Sequence, residues 1–588
     1  MRNISNSLKS GLTVILMAVV TLSVTSCNMI NPKNDPITFG AGYQEWMFAS
    51  DKACYAPGET VMLSLNKQPD TDCRVCYYHQ AELIQEEPLV ALRWTWQPPT
   101  TDYTGYLVCI VGEDGHVYSS IGVDVSSEPT RFPRNGFLSA YGNMSESEID
   151  AQVEKLSRYH INYVQFQDWH WKHHHPLAGT SIQPMDVWTD IISRNCYRST
   201  VDGYIAKLHE RGAKCLFYNL IYGALDDAIE DSVKREWYVF KDRHHLNPDM
   251  HELSSPFKSS IYLVNPANED WQRYLAAQHD EVYKVFDFDG YQIDQLGYRG
   301  YDVYDYVGNF VELSEGFAPF IHTMKAAQPN KRIVMNAVGQ YGQEYIANTD
   351  VDFLYTEVWD TLGYAPISSI ITNNDRMGGG KKTVLAAYMD YQTGKRGRGY
   401  FNTHGVLLTT AAIHAWGGAM LQLGEHMLTT EYFPNNNLSM NSDLQQAMIH
   451  YYDFITAYEN LLRDGGEWVG IDMVAPNGEI AFRQWPPEVG SVATVGKNFA
   501  DKQVIHLLNF DGAKHTDWVD NNANQGNPKE FENIQLQVAL PAAPGKVYAA
   551  SPDYKAGMPV ELEMSYDGGI LTLTLPYLHY WTMIVVEK

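Results

Sequence analysis

Val-Asp-Gly-Tyr-Ile-Ala-Lys-Leu-His-Glu-Arg-Gly-Ala-Lys-Cys-Leu-Phe-Tyr, residues 201–218, decides the fold class. Residues 201–211 have helical periodicity, Gly212 is the residue type that ends a helix in the left-handed region, and 213–218 is an apolar strand. The same unit recurs on both sides. Ser145-Glu146-Ser147-Glu148 is a capping box, in which Ser145 and Glu148 satisfy open N–H groups at a helix start. Ile149, Val153 and Leu156 follow on one helical face, ahead of the apolar run 163–166. Further strands are predicted at 137–141, 290–296, 332–338, 353–359, 383–389 and 415–423, with helical material at 268–285. Eight alternating units across 131–464 predict a central (β/α)8 TIM barrel. The competing arrangement is a doubly wound open sheet, but no Gly-rich nucleotide fingerprint follows any strand.

The flanks differ in character, so the chain is read as multidomain. Residues 37–130 show short strands with Pro and Gly turns, among them 61–65, 92–96, 106–111 and 117–125, and predict an immunoglobulin-like β-sandwich. Beyond 464 the helices give way to strand patterns, and 465–588 predicts an antiparallel β-sandwich that braces the barrel. At the other end, Arg2 and Lys9 precede an uncharged run, 11–24, shorter than the ~20 residues a membrane span needs. That run ends in Val24-Thr25-Ser26-Cys27, similar to a bacterial lipobox. The expectation is a lipoprotein signal over 1–27, lipidation at Cys27, a tether over 28–36, and a soluble body anchored in a bacterial cell envelope.

Composition removes several functions. A formal charge of −27 repels nucleic acid and anionic lipid. Hydrophobic content of 45% and charged content of 19% describe a folded soluble body, read as a monomer. The 39 Tyr and 14 Trp fill cores or stack on sugar faces. Cys73 and Cys76 form a C-x-x-C pair without a second pair at zinc-ribbon spacing. Export makes disulfides possible for Cys54, Cys73, Cys76 and Cys109, whereas Cys196 and Cys215 read as buried thiols. His170, His173, His174 and His175 form a run that suggests zinc, yet catalytic zinc sites usually combine separated ligands. Residues 226–231 are acidic but lack the spacing and glycine of an EF-hand. No metal and no cofactor is expected.

Reactive groups of a TIM barrel lie at the carboxyl ends of its strands. Asp294 stands near the end of the run 288–296, sharing a face with Gln292. Glu357 stands near the end of the run 353–359, sharing a face with Tyr355 and Trp359. A carboxyl among apolar residues is costly unless a site solvates or pairs it, and aromatic surroundings suit a general acid by raising its pKa.

Longer motifs carry a resemblance. They are Trp96-Gln97-Pro98-Pro99 with Asp102-Tyr103-Thr104-Gly105-Tyr106; Gln165-Phe166-Gln167-Asp168-Trp169-His170-Trp171-Lys172-His173-His174; Asp289-Gly290-Tyr291-Gln292-Ile293-Asp294; Tyr355-Thr356-Glu357-Val358-Trp359; Leu423-Gly424-Glu425-His426-Met427-Leu428; and Glu431-Tyr432-Phe433-Pro434-Asn435. In this order the chain resembles glycoside hydrolase family 66, the dextranases and cycloisomaltooligosaccharide glucanotransferases. The resemblance implies an endo-acting, retaining enzyme on the α-1,6-glucan dextran, releasing isomaltooligosaccharides, with Asp294 as nucleophile and Glu357 as acid/base. Asp168, Trp169, Lys172 and His173 are expected to line the cleft, and Gln292, Asn336, Trp359 and Glu425 to contact subsites. Cyclising members carry a carbohydrate-binding module inserted into the barrel, for which this chain has no room, so hydrolysis is expected over cyclisation. Another α-glucan hydrolase, and a non-catalytic glycan-binding lipoprotein, are the alternatives.

Overall fold

The computed structural model describes residues 47–588 apart from Asp360. The expected signal segment with Cys27, the expected tether and the first residues of the expected N-terminal sandwich therefore lie outside the described residues. At the centre is a nine-stranded, all-parallel, TIM-like sheet. Its strands are β1 (Asn135–Leu138), β2 (Tyr163–Phe166), β3 (Lys214–Leu220), β4 (Gly290–Asp294), β5 (Arg332–Asn336), β6 (Leu354–Glu357), β7 (Thr383–Ala386), β8 (Ala419–Met420) and β9 (Leu423–Gly424). The order is β8-β7-β6-β5-β4-β3-β2-β1-β9. One short stretch of chain thus pairs with β7 through β8 and with β1 through β9.

Local rules explain most elements. The capping box at Ser145 forms as expected and starts the helix Glu146–Arg158, which buries Ile149, Val153 and Leu156. The helix Arg198–Glu210 stops at Gly212, whose φ is +77°. Ala213 N–H closes that end by donating 3.0 Å to the Leu208 carbonyl. Asn268 caps the helix Glu269–Val285 by accepting from Trp271 N–H.

The expected strand 415–423 is corrected. Thr403–Ala415 is a helix, Gly417 turns the chain at φ +78°, and strand pairing begins only at Ala419. Every residue of that helix is buried. It has no polar face, so its sequence lacks the period that marks a surface helix.

Two antiparallel sheets form the N-terminal unit. Phe48–Ser50, Val61–Leu65 and Arg93–Trp96 make one; Glu82–Pro88, Cys73–His79, Thr104–Gly112 and Val117–Val125 make the other. Val61, Leu63, Trp96, Val108 and Val123 close a core between them. The C-x-x-C pair lies on one of these strands, and all six described cysteines are free and buried. The C-terminal unit also pairs two sheets, of seven and four strands, over a core including Leu507, Leu536, Leu573 and Ile584. It departs from the antiparallel expectation at one place, where Phe482–Gln484 runs parallel to Val492–Asn498.

Bare backbone and a buried cation join the N-terminal unit to the central one. A Cβ on Gly105 or Gly122 would meet the carbonyls of Thr456 and Asp453 at 2.3 and 2.5 Å, so only glycine lets those strands lie against the helix Ser442–Ala457. Beside them Arg134, one residue before β1, reaches Asp124 at 2.6 Å and Glu459 at 3.0 Å, all fully enclosed. Burial pushes the Glu459 carboxyl far up, and the guanidinium opposes that rise. Arg134→Met would leave both enclosed carboxyls without that cation. A loss of about 3–5 kcal/mol is expected, read as a lower denaturant midpoint. An unchanged midpoint would show that the pair contributes nothing to the joint.

Candidate active site

Alternate positions along five neighbouring strands point into one pocket. Gln165 of β2, Tyr218 of β3, Gln292 and Asp294 of β4, Asn336 of β5, and Tyr355 and Glu357 of β6 line it, with Gln167 and Phe433 at its edge. Both carboxyls stand at the carboxyl ends of their strands, with β5 between them.

Hydrogen bonds fix each carboxyl differently. Tyr218 O–H donates 2.8 Å to Asp294 Oδ2, and Asn336 Nδ2 donates 2.8 Å to Asp294 Oδ1. The side-chain oxygen of Asn336, Oδ1, accepts from the Glu357 backbone N–H at 3.1 Å, so one side-chain amide ties the two strand ends together. Glu357 accepts from Tyr388 O–H and, at 3.3 Å, from Trp359 Nε1.

Electrostatics separates them further. Burial, and then the charge of Asp294, push Glu357 up to about 7. Burial raises Asp294 as well, but Tyr218 and Asn336 oppose the rise by hydrogen-bonding its ionised form. Glu357 is therefore the partner that keeps a proton near neutrality, while Asp294 ionises first. The pair is equipped for proton donation from one side and nucleophilic attack from the other.

The structure distributes the other expected residues unevenly. Gln292, Asn336 and Trp359 stand in or against the pocket, as described. Asp168, with φ +51°, is raised to about 7 by burial, and Asp294 adds to the rise, which places it within electrostatic reach of the pair. Trp169 is corrected: it is only 1% exposed, its ring is packed against Trp188, Phe217, Phe286 and Phe288, and it supports the cleft from behind. His173 is corrected likewise. It is buried against His170 and Asn219, and burial lowers it to about 4, so it offers no charged donor near neutrality. Lys172 Nζ lies 2.6 Å from both Asp227 and Asp231 and is committed to them. Glu425 accepts from Ser139 N–H and O–H and from Ala140 N–H, and so ties the end of β9 to that of β1.

Tyr218 and Tyr388 escaped the sequence reading. Each lies at the end of a recognised strand run, so the strand-end rule applied to hydroxyls would have found both. Among the described residues, His174, Asp227 and Asp231 come together as metal ligands would. Lys172 already supplies a cation there. His209, Cys215 and Asp289 form a second such group.

A TIM-like sheet with this carboxyl pair at its strand ends is equipped for acid–base and nucleophilic work, the chemistry that breaking or transferring a glycosidic bond requires. The model of glycosyl hydrolase family 66 matches residues 50–585, and the chain belongs to that family. It is 25% identical over 740 aligned positions to a cycloisomaltooligosaccharide glucanotransferase of Niallia circulans, covering 98% of this chain and 75% of that protein. A dextranase of Streptococcus salivarius is 25% identical, over 83% of this chain and 68% of its own. The fold is similar to that of a cycloisomaltooligosaccharide glucanotransferase of Paenibacillus sp. complexed with cycloisomaltoheptaose, with a TM-score of 0.84 and 23% identity over 93% of this chain and 100% of that one.

The pKa order gives a direct test. The basic limb of kcat/KM is expected near pH 7, where Glu357 loses its proton. Tyr388→Phe removes a donor to the ionised form of Glu357, so that form is disfavoured and the limb moves to higher pH. A move to lower pH would contradict the assignment of the proton.

Proposed function

We infer that the protein is an endo-acting, retaining hydrolase of α-1,6-linked glucan, of the dextranase type within family 66. The observation that carries the chemistry of this reading is the split carboxyl pair, Asp294 held by two donors and Glu357 raised to about 7, while the linkage follows the dextranase and glucanotransferase relatives. We read the nine-stranded sheet as a (β/α)8 barrel over 131–464 whose eighth strand is split. On that reading an immunoglobulin-like sandwich precedes it and a second sandwich follows.

In the first step an Asp294 oxygen bonds to the anomeric carbon while the bond to the glycosidic oxygen breaks. That oxygen keeps the electron pair and takes the Glu357 proton. In the second step Glu357, now ionised, accepts a proton from water, whose oxygen bonds to the anomeric carbon as the ester to Asp294 breaks. Pairs that work this way stand roughly 5–5.5 Å apart, against about 6.5–9.5 Å when a water must fit between them. Tyr218 and Asn336 position the nucleophile, and their donation to its ionised form keeps it deprotonated while Glu357 is protonated.

Hydrolysis is favoured over cyclisation by length. The 740 aligned positions exceed the 588 residues of this chain, so the glucanotransferase carries inserted sequence within the matched span. Between β7 and β8 this chain has only the helices Tyr391–Arg396 and Thr403–Ala415 and a two-residue strand. Linear isomaltooligosaccharides of retained α configuration are the expected products from dextran, with pullulan and starch much poorer substrates. Cyclic products as the main output, or β-configured ends by NMR, would overturn the reading. Asp294→Asn and Glu357→Gln are each expected to cost about 10³-fold or more in kcat with thermal unfolding near that of the parent.

A further inference from the structure

Three indoles gather far from the catalytic pocket, where the last helix before β8 meets the C-terminal strands. Trp416 caps the helix Thr403–Ala415, Trp468 lies in Glu467–Val469, and Trp485 follows Phe482–Gln484. The Trp416 ring centre is 4.6 Å from that of Trp468 and 5.6 Å from that of Trp485. With Gly470, Gln484 and Thr494 they line an open cleft of about 260 Å³. Trp416 lies just before β8, so the cleft is at the amino end of the parallel sheet. Asp294 and Glu357 are at the carboxyl end.

Packing alone does not account for this arrangement. Indoles that only cement two units bury their faces and fill the gap between them, whereas these three are half-buried around empty space. Trp485 N–H is fixed by Ser368 Oγ at 2.9 Å, and Lys497 Nζ lies 4.8 Å from the Trp468 ring centre, so both rings are held in place. Trp416 N–H meets no acceptor among the described residues. Gly470 makes room for the Gln484 amide at the rim: a Cβ there would stand 2.4 Å from Gln484 Oε1. The Gln484 amide is anchored by donation to Asp472 at 2.7 Å, which leaves its oxygen beside Gly470.

Fixed indoles with a neutral amide at the rim fit a ligand with an apolar face and uncharged hydroxyl edges. A pyranose ring has both. An anion has no exposed cation to meet here, because Lys497 is buried and donates to the Leu462 carbonyl. We propose that this cleft is a non-catalytic binding site for a glucosyl unit of the polymer, holding the chain while the opposite end of the sheet cuts it. The identity of the sugar rests on the dextranase reading; the presence of a sugar site does not.

Adsorption to cross-linked dextran, pullulan and insoluble starch tests it, with rates on isomaltotetraose and on dextran measured beside it. Trp485→Ala removes a wall, and Gly470→Val, at an exposed residue of the lining, drives the Gln484 amide from its place at the rim. Each is expected to weaken adsorption to dextran and to lower kcat/KM on dextran by about tenfold, with the isomaltotetraose rate unchanged. Should Trp485→Ala fail to fold, Gly470→Val decides alone. Parental adsorption and parental dextran kinetics in Gly470→Val would overturn the site, as would an unmodified protein that adsorbs to none of the three glucans. If the unmodified protein adsorbs but cleaves neither substrate, the dextranase reading fails, and the loss of adsorption in the variants still decides the site.

Discussion

Two carboxyls enclosed at strand ends one strand apart cannot both carry charge unless the surrounding walls supply compensation. The central sheet supplies it unequally. Asp294 receives two strong donors, from Tyr218 and Asn336, and remains the group that ionises first. Glu357 faces that charge in a buried setting and is held near neutrality in its protonated form. Asn336 serves both groups at once, donating to Asp294 and accepting from the Glu357 backbone. Strand β5 is thus a spacer that fixes both the separation and the electrostatic difference of the pair.

Around that pair the structure holds the strand ends still. Glu425 ties β9 to β1 through Ser139 and Ala140, where one short stretch of chain must serve both β7 and β1. The Trp169 cluster stiffens the far side of β2 and β3, and the neutral network of His170, His173 and Asn219 lies beside it. Arg134 and the bare backbone of Gly105 and Gly122 lock the N-terminal strands onto the same body. Each of these contacts lies outside the pocket, and each limits how far a strand end can drift.

Much of this was legible in the sequence. Apolar runs with a carboxyl near their ends located β4 and β6, and the Ser145 capping box located its helix to within a residue. Burial on every side was not legible. The helix Thr403–Ala415 lacks a polar face, so no helical period marks it, and its last residue falls inside the predicted strand 415–423. Exposure was equally hidden for Trp169 and His173, whose neighbours in sequence lie near the cleft while their own side chains turn into the core. Lys172 depends on Asp231, a partner 59 residues away that no local pattern announces. Tyr218 and Tyr388 resemble core tyrosines until the carboxylates they serve are placed beside them.

The division of labour between the carboxyls is tested most directly by trapping. A fluorinated α-glucosyl fluoride, which slows the second step more than the first, should leave a glucosyl group on the protein. Peptide mapping by mass spectrometry is then expected to find that group on Asp294. A label on another residue, or turnover with inverted configuration and no label, would contradict the account.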